Sequence, residues 1–96
     1  MTVWTWDPRK DEGNQRKHHV SFELARRVFD DPLALSLLDE SADEERWLTL
    51  GKVDDVVVLV VVHTWHESED DEPHGRIISA RKATKREVKA YEEGSF

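Results

Sequence analysis

Ninety-six residues, 38% of them hydrophobic, suffice for one modest core and are too few for two, so a single domain spanning 1–96 is expected. The chain has no cysteine, which removes disulfides, thiolate metal sites and thiol catalysis and fits a reducing cytoplasm. Its net charge of −7 speaks against a uniformly cationic surface of the kind that coats nucleic acid.

In chain order, Met1-Thr-Val-Trp-Thr-Trp-Asp7 has neither a basic n-region nor an apolar h-region, so it does not read as a secretory signal. Val3-Trp4-Thr5-Trp6 is short and β-prone. Asp7-Pro8 then hands over to a helix, Asp as N-cap and Pro in the first turn. That helix, about Pro8 to His18, has no large apolar residue and cannot dock by ordinary hydrophobic burial. Lys10, Asn14, Lys17 and His18 share one stripe on it, facing solvent or a polar groove.

Ser21 is placed to cap a second helix, on which Phe22, Ala25, Val28 and Phe29 form an apolar stripe suited to lying on a sheet. Asp30-Asp31-Pro32 stops it. Leu33 to Leu38 reads as an extended stretch or a brief strand, and Asp39 to Glu44 as a solvated acidic loop.

Three strands should follow. The first is Arg46 to Gly51, before the turn-forming Asp54-Asp55. The second, Val56 to Val62, is apolar at every position, so both its faces should be covered and it should lie centrally. At seven residues it is far too short to span a bilayer as a helix, and no membrane association is expected. The third is Arg76 to Ala80, after the acidic and presumptively flexible connection 66–75. Thr84 and Glu87 have the T-x-x-E spacing of a capping box, so a last helix begins just after Thr84. The order is β-α-α-β-β-β-α, an α+β domain with an antiparallel sheet packed against helices.

The charge is segregated along this order. Residues 1–29 carry six bases and four acids, residues 30–75 two bases and fourteen acids, and residues 76–96 six bases and three acids. Both ends of the chain are therefore basic around an acidic middle. If the ends meet in space they form a cationic surface inside an acidic protein, suited to an anionic ligand.

Several segments together resemble the BrnT family of type II toxins. They are Trp6-Asp-Pro-Arg-Lys10, Asn14-x-x-Lys17-His18, Val20-Ser-Phe-Glu23 with Val28-Phe-Asp-Asp-Pro32, and His63-Thr64 followed by Arg76 to Glu87 and Tyr91. The resemblance implies a RelE-like ribonuclease fold and RNA cleavage that halts translation. It also implies neutralisation by a BrnA-like ribbon-helix-helix antitoxin, in a hetero-oligomer that reaches operator DNA only through that antitoxin. An alternative within the same lineage is a non-enzymatic subunit that acts by antitoxin binding and operon repression. The chain departs from the family pattern at His19, where Gly usually follows the Lys-His pair. A left-handed backbone there would cost His more than Gly.

Metal-free RNA cleavage needs a proton acceptor for the 2′-hydroxyl, cations for the crowded phosphate and an acid for the leaving 5′-oxygen. His63, at the exit of the apolar strand, is one candidate proton shuttle, and a strand-end His bonded to backbone is its bland alternative. His18 is the rival. Arg76 and Arg81 are candidates to clamp the phosphate, with Lys17, Lys82, Arg86 and Lys89 as further RNA contacts. Tyr91 either stacks on a base or belongs to the core. Arg76, Arg81 and Arg86 are expected to converge with Lys17 and His18 in one groove. His63, His66 and His74, with Glu67 or Asp70, contain only His-x-x-His spacing on a strand and loop, so no metal or other cofactor is expected. The four Trp read as core or antitoxin contact rather than as a base-stacking row. The apolar material of Leu33–Leu38 with Trp4, Trp47 and Trp65 exceeds what so small a core encloses, and part of it should meet a partner.

Overall fold

The computed structural model describes residues 2–41 and 43–95. They form β1 (Val3–Thr5), α1 (Pro8–His18), α2 (Phe22–Ala25) running into a 3-10 turn (Arg26–Asp30), β2 (Leu35–Leu38), β3 (Trp47–Val53), β4 (Val57–His63), β5 (His74–Lys82) and α3 (Lys85–Glu93). The strands make one sheet in the order β1-β5-β4-β3-β2. β4 is central, as the apolar run through Val62 requires, but it begins at Val57 and ends in His63. Val56, expected to open the covered strand, lies in the hairpin turn and is 81% exposed.

Two features differ from the sequence reading. The sheet has one strand more than the order β-α-α-β-β-β-α counted, because the stretch read as extended or a brief strand forms an edge strand, Leu35–Leu38, antiparallel to β3 with Leu37 opposite Leu48. The sheet is mixed rather than antiparallel, because β1 pairs with β5 in parallel, Val3 opposite His74. Such pairing needs a crossover, and β1 is separated from β5 by almost the whole chain. Local periodicity cannot see it.

Both sheet faces are covered. On one face Leu59, Val61, Ile77, Ala80 and Val53 pack against Val20, Phe22, Ala25 and Val28, which follow α1. On the other, Leu50, Val58 and Val60 pack against Tyr91, with Val88 and Ala83 beside them. Gly51 lies under the 3-10 turn, where a Cβ would come 2.6 Å from Val28 Cγ1 and 2.9 Å from its carbonyl oxygen, so a side chain there would push the turn off the sheet.

The polar helix α1 docks by hydrogen bonds instead of apolar burial. Asn14 Nδ2 donates to the carbonyls of Val20 and Ala80, each at 2.8 Å, and Asn14 Oδ1 accepts from Ala80 N at 3.1 Å. The amide thus occupies the open edge of β5 beyond the end of β1. At the end of α1, His19 is left-handed with φ 59°, and its N–H closes on the Gln15 carbonyl. The position that favours Gly is a helix C-cap.

The β3–β4 hairpin turns on Asp54 and Asp55, both at positive φ, with Val56 N bonded to Val53 O at 3.1 Å. Val53 pairs with Val57, so three residues, Asp54 to Val56, close the hairpin. In β5 the register slips between the partners of Val62 and His63, so that Ile77 and Ala80 both face α1 and α2.

Candidate functional site

The bulge in β5 decides where the arginines point. Arg81 lies opposite Val60 on the α3 face, where its guanidinium donates to both carboxylate oxygens of Glu87, at 2.8 and 3.0 Å. Glu87 also completes the capping box with Thr84, accepting from Thr84 N at 2.8 Å. Arg76, at the opposite end of β5, turns to Glu44 at 3.4 Å. Four strand steps, about 13 Å, separate the two arginines, and each is turned to its own carboxylate. They do not form one clamp.

The Arg81 hydrogen bonds hold the Glu87 carboxyl at about 2 against an ordinary 4.5, with the Thr84 bonds reinforcing and burial opposing. A carboxyl lowered on folding contributes stability that is complete above its unfolded value and is lost as pH falls through the folded one. The urea midpoint should therefore decline between about pH 4.5 and about 2. Glu87→Gln should flatten that decline when the two proteins are titrated side by side.

His63 is buried, with 4% of its surface exposed. Nδ1 lies 2.9 Å from the Thr64 carbonyl, which can only accept, so Nδ1 carries the proton. Nε2, 2.7 Å from Thr49 Oγ1, then accepts from that hydroxyl, which in turn lies 2.8 Å from Ser36 Oγ. Burial pushes the imidazole below its ordinary value, and the bond to Thr64 opposes this without reversing it. Its ring meets Trp4 and Phe29 edge-on, and those two stack at 3.8 Å. Both nitrogens are engaged and the ring is walled in. The bond to backbone is the one that the bland alternative for this histidine describes.

Tyr91 is also a scaffold residue. Its hydroxyl donates to Asp31 Oδ2 at 2.5 Å, and Asp31 accepts as well from the backbone N–H groups of Lys52 and Leu33. The bond to Asp31, with burial next, pushes the phenol up to about 12. Burial raises the Asp31 carboxyl, but the Lys52, Tyr91 and Leu33 hydrogen bonds outweigh it and leave the carboxyl below its ordinary value. His66 and His74 face each other at 5.4 Å across an isolated bridge, and His63 is not with them. Among the described residues no three His, Asp or Glu side chains converge as a metal site would require.

The exposed cations lie elsewhere. Lys17 and His18 sit one turn beyond Asn14 on α1, and Lys82 sits two residues beyond Ala80, on the same sheet face as Leu59. Arg86 and Lys89 lie on the outer side of α3, Lys89 within 3.9 Å of Glu93. The expected single groove thus divides. Lys17, His18 and Lys82 belong to the α1 side, while Arg81 belongs to the α3 side and Arg76 to the far end of the strand.

Trp4, Trp47 and Trp65, expected to exceed what the core encloses, line one cleft of about 700 Å³ together with Phe29, Arg26, Asp30, Ser36 and His63. Trp47 Nε1 is buried with no hydrogen-bond partner among the described residues. Trp4 packs against the core as well as lining the cleft, whereas Trp47 and Trp65 belong to the cleft. What the sequence could not supply was their convergence, which follows from the alignment of three strand ends.

The family model for the ribonuclease toxin BrnT of type II toxin–antitoxin systems matches residues 6–87. No curated protein matches the sequence. Among solved structures, the Brucella abortus ribonuclease toxin BrnT is similar in fold, with a TM-score of 0.62 and 22% identity, covering 88% of this chain and 99% of that one. No described helix is long and apolar enough to cross a membrane.

Proposed function

The chain belongs to the BrnT family of ribonuclease toxins of type II toxin–antitoxin systems, and from that premise we propose that it is a RelE-like endoribonuclease. Its single domain acts in the cytoplasm, cutting RNA without a metal ion and so stopping translation. A BrnA-like ribbon-helix-helix antitoxin neutralises it and carries the complex to operator DNA.

The observation that supports this reading best is the pair of cationic segments hung from one anchor. Asn14 ties α1 to Ala80, with Lys17 and His18 just beyond it on the helix and Lys82 just beyond it on the strand. Lys17 and Lys82 meet the scissile phosphate, and Arg86 and Lys89 meet phosphates further along the RNA. His18 takes the 2′-hydroxyl proton, the 2′-oxygen attacks the adjacent phosphorus, and the 5′-oxygen leaves with a proton from solvent. His63, Arg76, Arg81 and Tyr91 hold the scaffold, which their buried or paired side chains favour over direct contact with RNA.

Incubation of the purified protein with RNA, with and without EDTA, tests this. Cleavage should persist in chelator and leave 2′,3′-cyclic phosphate ends. Chelator-sensitive cleavage restored by zinc or manganese would overturn the metal-free mechanism. No cleavage at all would favour the non-enzymatic alternative, in which the chain serves only antitoxin binding and repression.

A further inference from the structure

The two ends of the sheet differ in charge. Where β2 and β4 finish and β3 and β5 begin, the connecting segments hold five carboxylates in 39–45 and five in 67–72, with only Arg46 and Arg76 beside them. The aromatic cleft lies at this same end, since Trp47 is opposite His63 and both line it. Asp30, on the cleft, has no ion-pair partner among the described residues, whereas Arg26 is already taken by Glu23 at 3.1 Å.

The cleft is continuous with an open sheet edge. Ser36 lines it, and Ser36 belongs to β2, the outermost strand. Asp39 N donates to Arg46 O at 2.8 Å, so residues 39 and 46 are a hydrogen-bonded pair. Alternation then turns the backbone N–H and C=O of Ser36 and Leu38 outward, away from β3. Leu37 and Leu38 are 45% and 41% exposed along that edge. A bare, apolar edge of this kind is one that proteins normally cover.

Three requirements fall on whatever covers it. The edge accepts an extended backbone, the indole walls accept a flat or cationic group, and the carboxylates select positive charge. An RNA base would satisfy the walls, but its phosphates would meet the acidic segments. We infer that this end of the molecule is the docking surface for a basic, extended segment of a partner protein. The segment adds to β2 and places an arginine in the cleft, stacked on the indoles and paired with Asp30. The inference deepens the toxin–antitoxin reading, since the antitoxin is the partner that reading provides. It puts the partner at the far end of β5 from Lys82.

The test uses the full chain and a short synthetic peptide of alternating arginine and valine, read by indole fluorescence. A matching glutamate–valine peptide and an oligouridylate serve as the other arms. The arginine peptide alone should bind and shift the indole signal. Asp30→Lys, an exposed substitution that should leave the circular dichroism unchanged, should weaken it at least about tenfold. Equal affinity for the wild-type and Asp30→Lys proteins would overturn the docking surface, as would an oligouridylate that displaces the peptide and shifts the same indoles. RNA cleavage is measured on the same samples. Cleavage without selective peptide binding removes this surface alone, and peptide binding without cleavage removes the nuclease reading alone.

Discussion

Replacing Asn14 with alanine is expected to lower the stability of the protein by about 3 kcal/mol or more. The substitution removes two donated hydrogen bonds and one accepted bond at once. It strands the Ala80 N–H and the carbonyls of Ala80 and Val20 in a site where Asn14 itself is only 7% exposed and its partners are almost fully buried. Water cannot replace the amide without opening the seam between α1 and β5, and each abandoned backbone group costs about 1–3 kcal/mol. Because α1 offers no apolar face, its remaining tie among the described residues is lateral, Asp11 Oδ1 accepting from Phe22 N at 2.9 Å. A urea titration of Asn14→Ala beside the exposed Lys17→Ala would check this, the second variant staying close to wild type. Equal midpoints for the two would mean that α1 does not depend on the amide.

Reversing Lys82 and Arg86 together to glutamate is expected to lower kcat/KM for RNA cleavage about 100-fold while the thermal midpoint stays near that of the wild type. Both side chains are exposed, and neither has an ion-pair partner among the described residues, so the fold does not need them. The substitution places two negative charges where RNA phosphates are to lie. Arg81→Ala is a poorer probe despite its prominence in the sequence. It would unpair Glu87, which also caps α3, and would confuse lost stability with lost activity. Unchanged cleavage by the double reversal would place the phosphate path elsewhere.

Local chemistry made much of the fold legible. Asp7, Ser21 and Thr84 each cap the helix that they precede, and the apolar run lies, from Val57 onward, in the centre of the sheet. What stayed hidden depends on residues far apart in sequence. The parallel pairing of Val3 with His74 has no local signature, and neither does the aromatic cleft, whose walls come from separate strands and a turn. The arginines of β5 were misleading for a further reason. Simple alternation puts residues 76 and 81 on opposite faces, and the bulge returns them to one face while carboxylates claim both. Titratable residues in a sequence advertise chemistry without revealing whether their charge is already answered.

The long-range ties at the two ends of the chain bear on how the protein comes into being. Val3 waits for His74, Asn14 for Ala80 and Asp31 for Tyr91, the last two spans being 66 and 60 residues. Emerging from a ribosome, the first third of the polypeptide has no sheet edge to join until β5 has left the exit tunnel. Contacts of this separation form slowly and late. A nascent chain therefore carries its cationic segments unassembled through most of synthesis. The mature arrangement is reached only after β5 and α3 have been made.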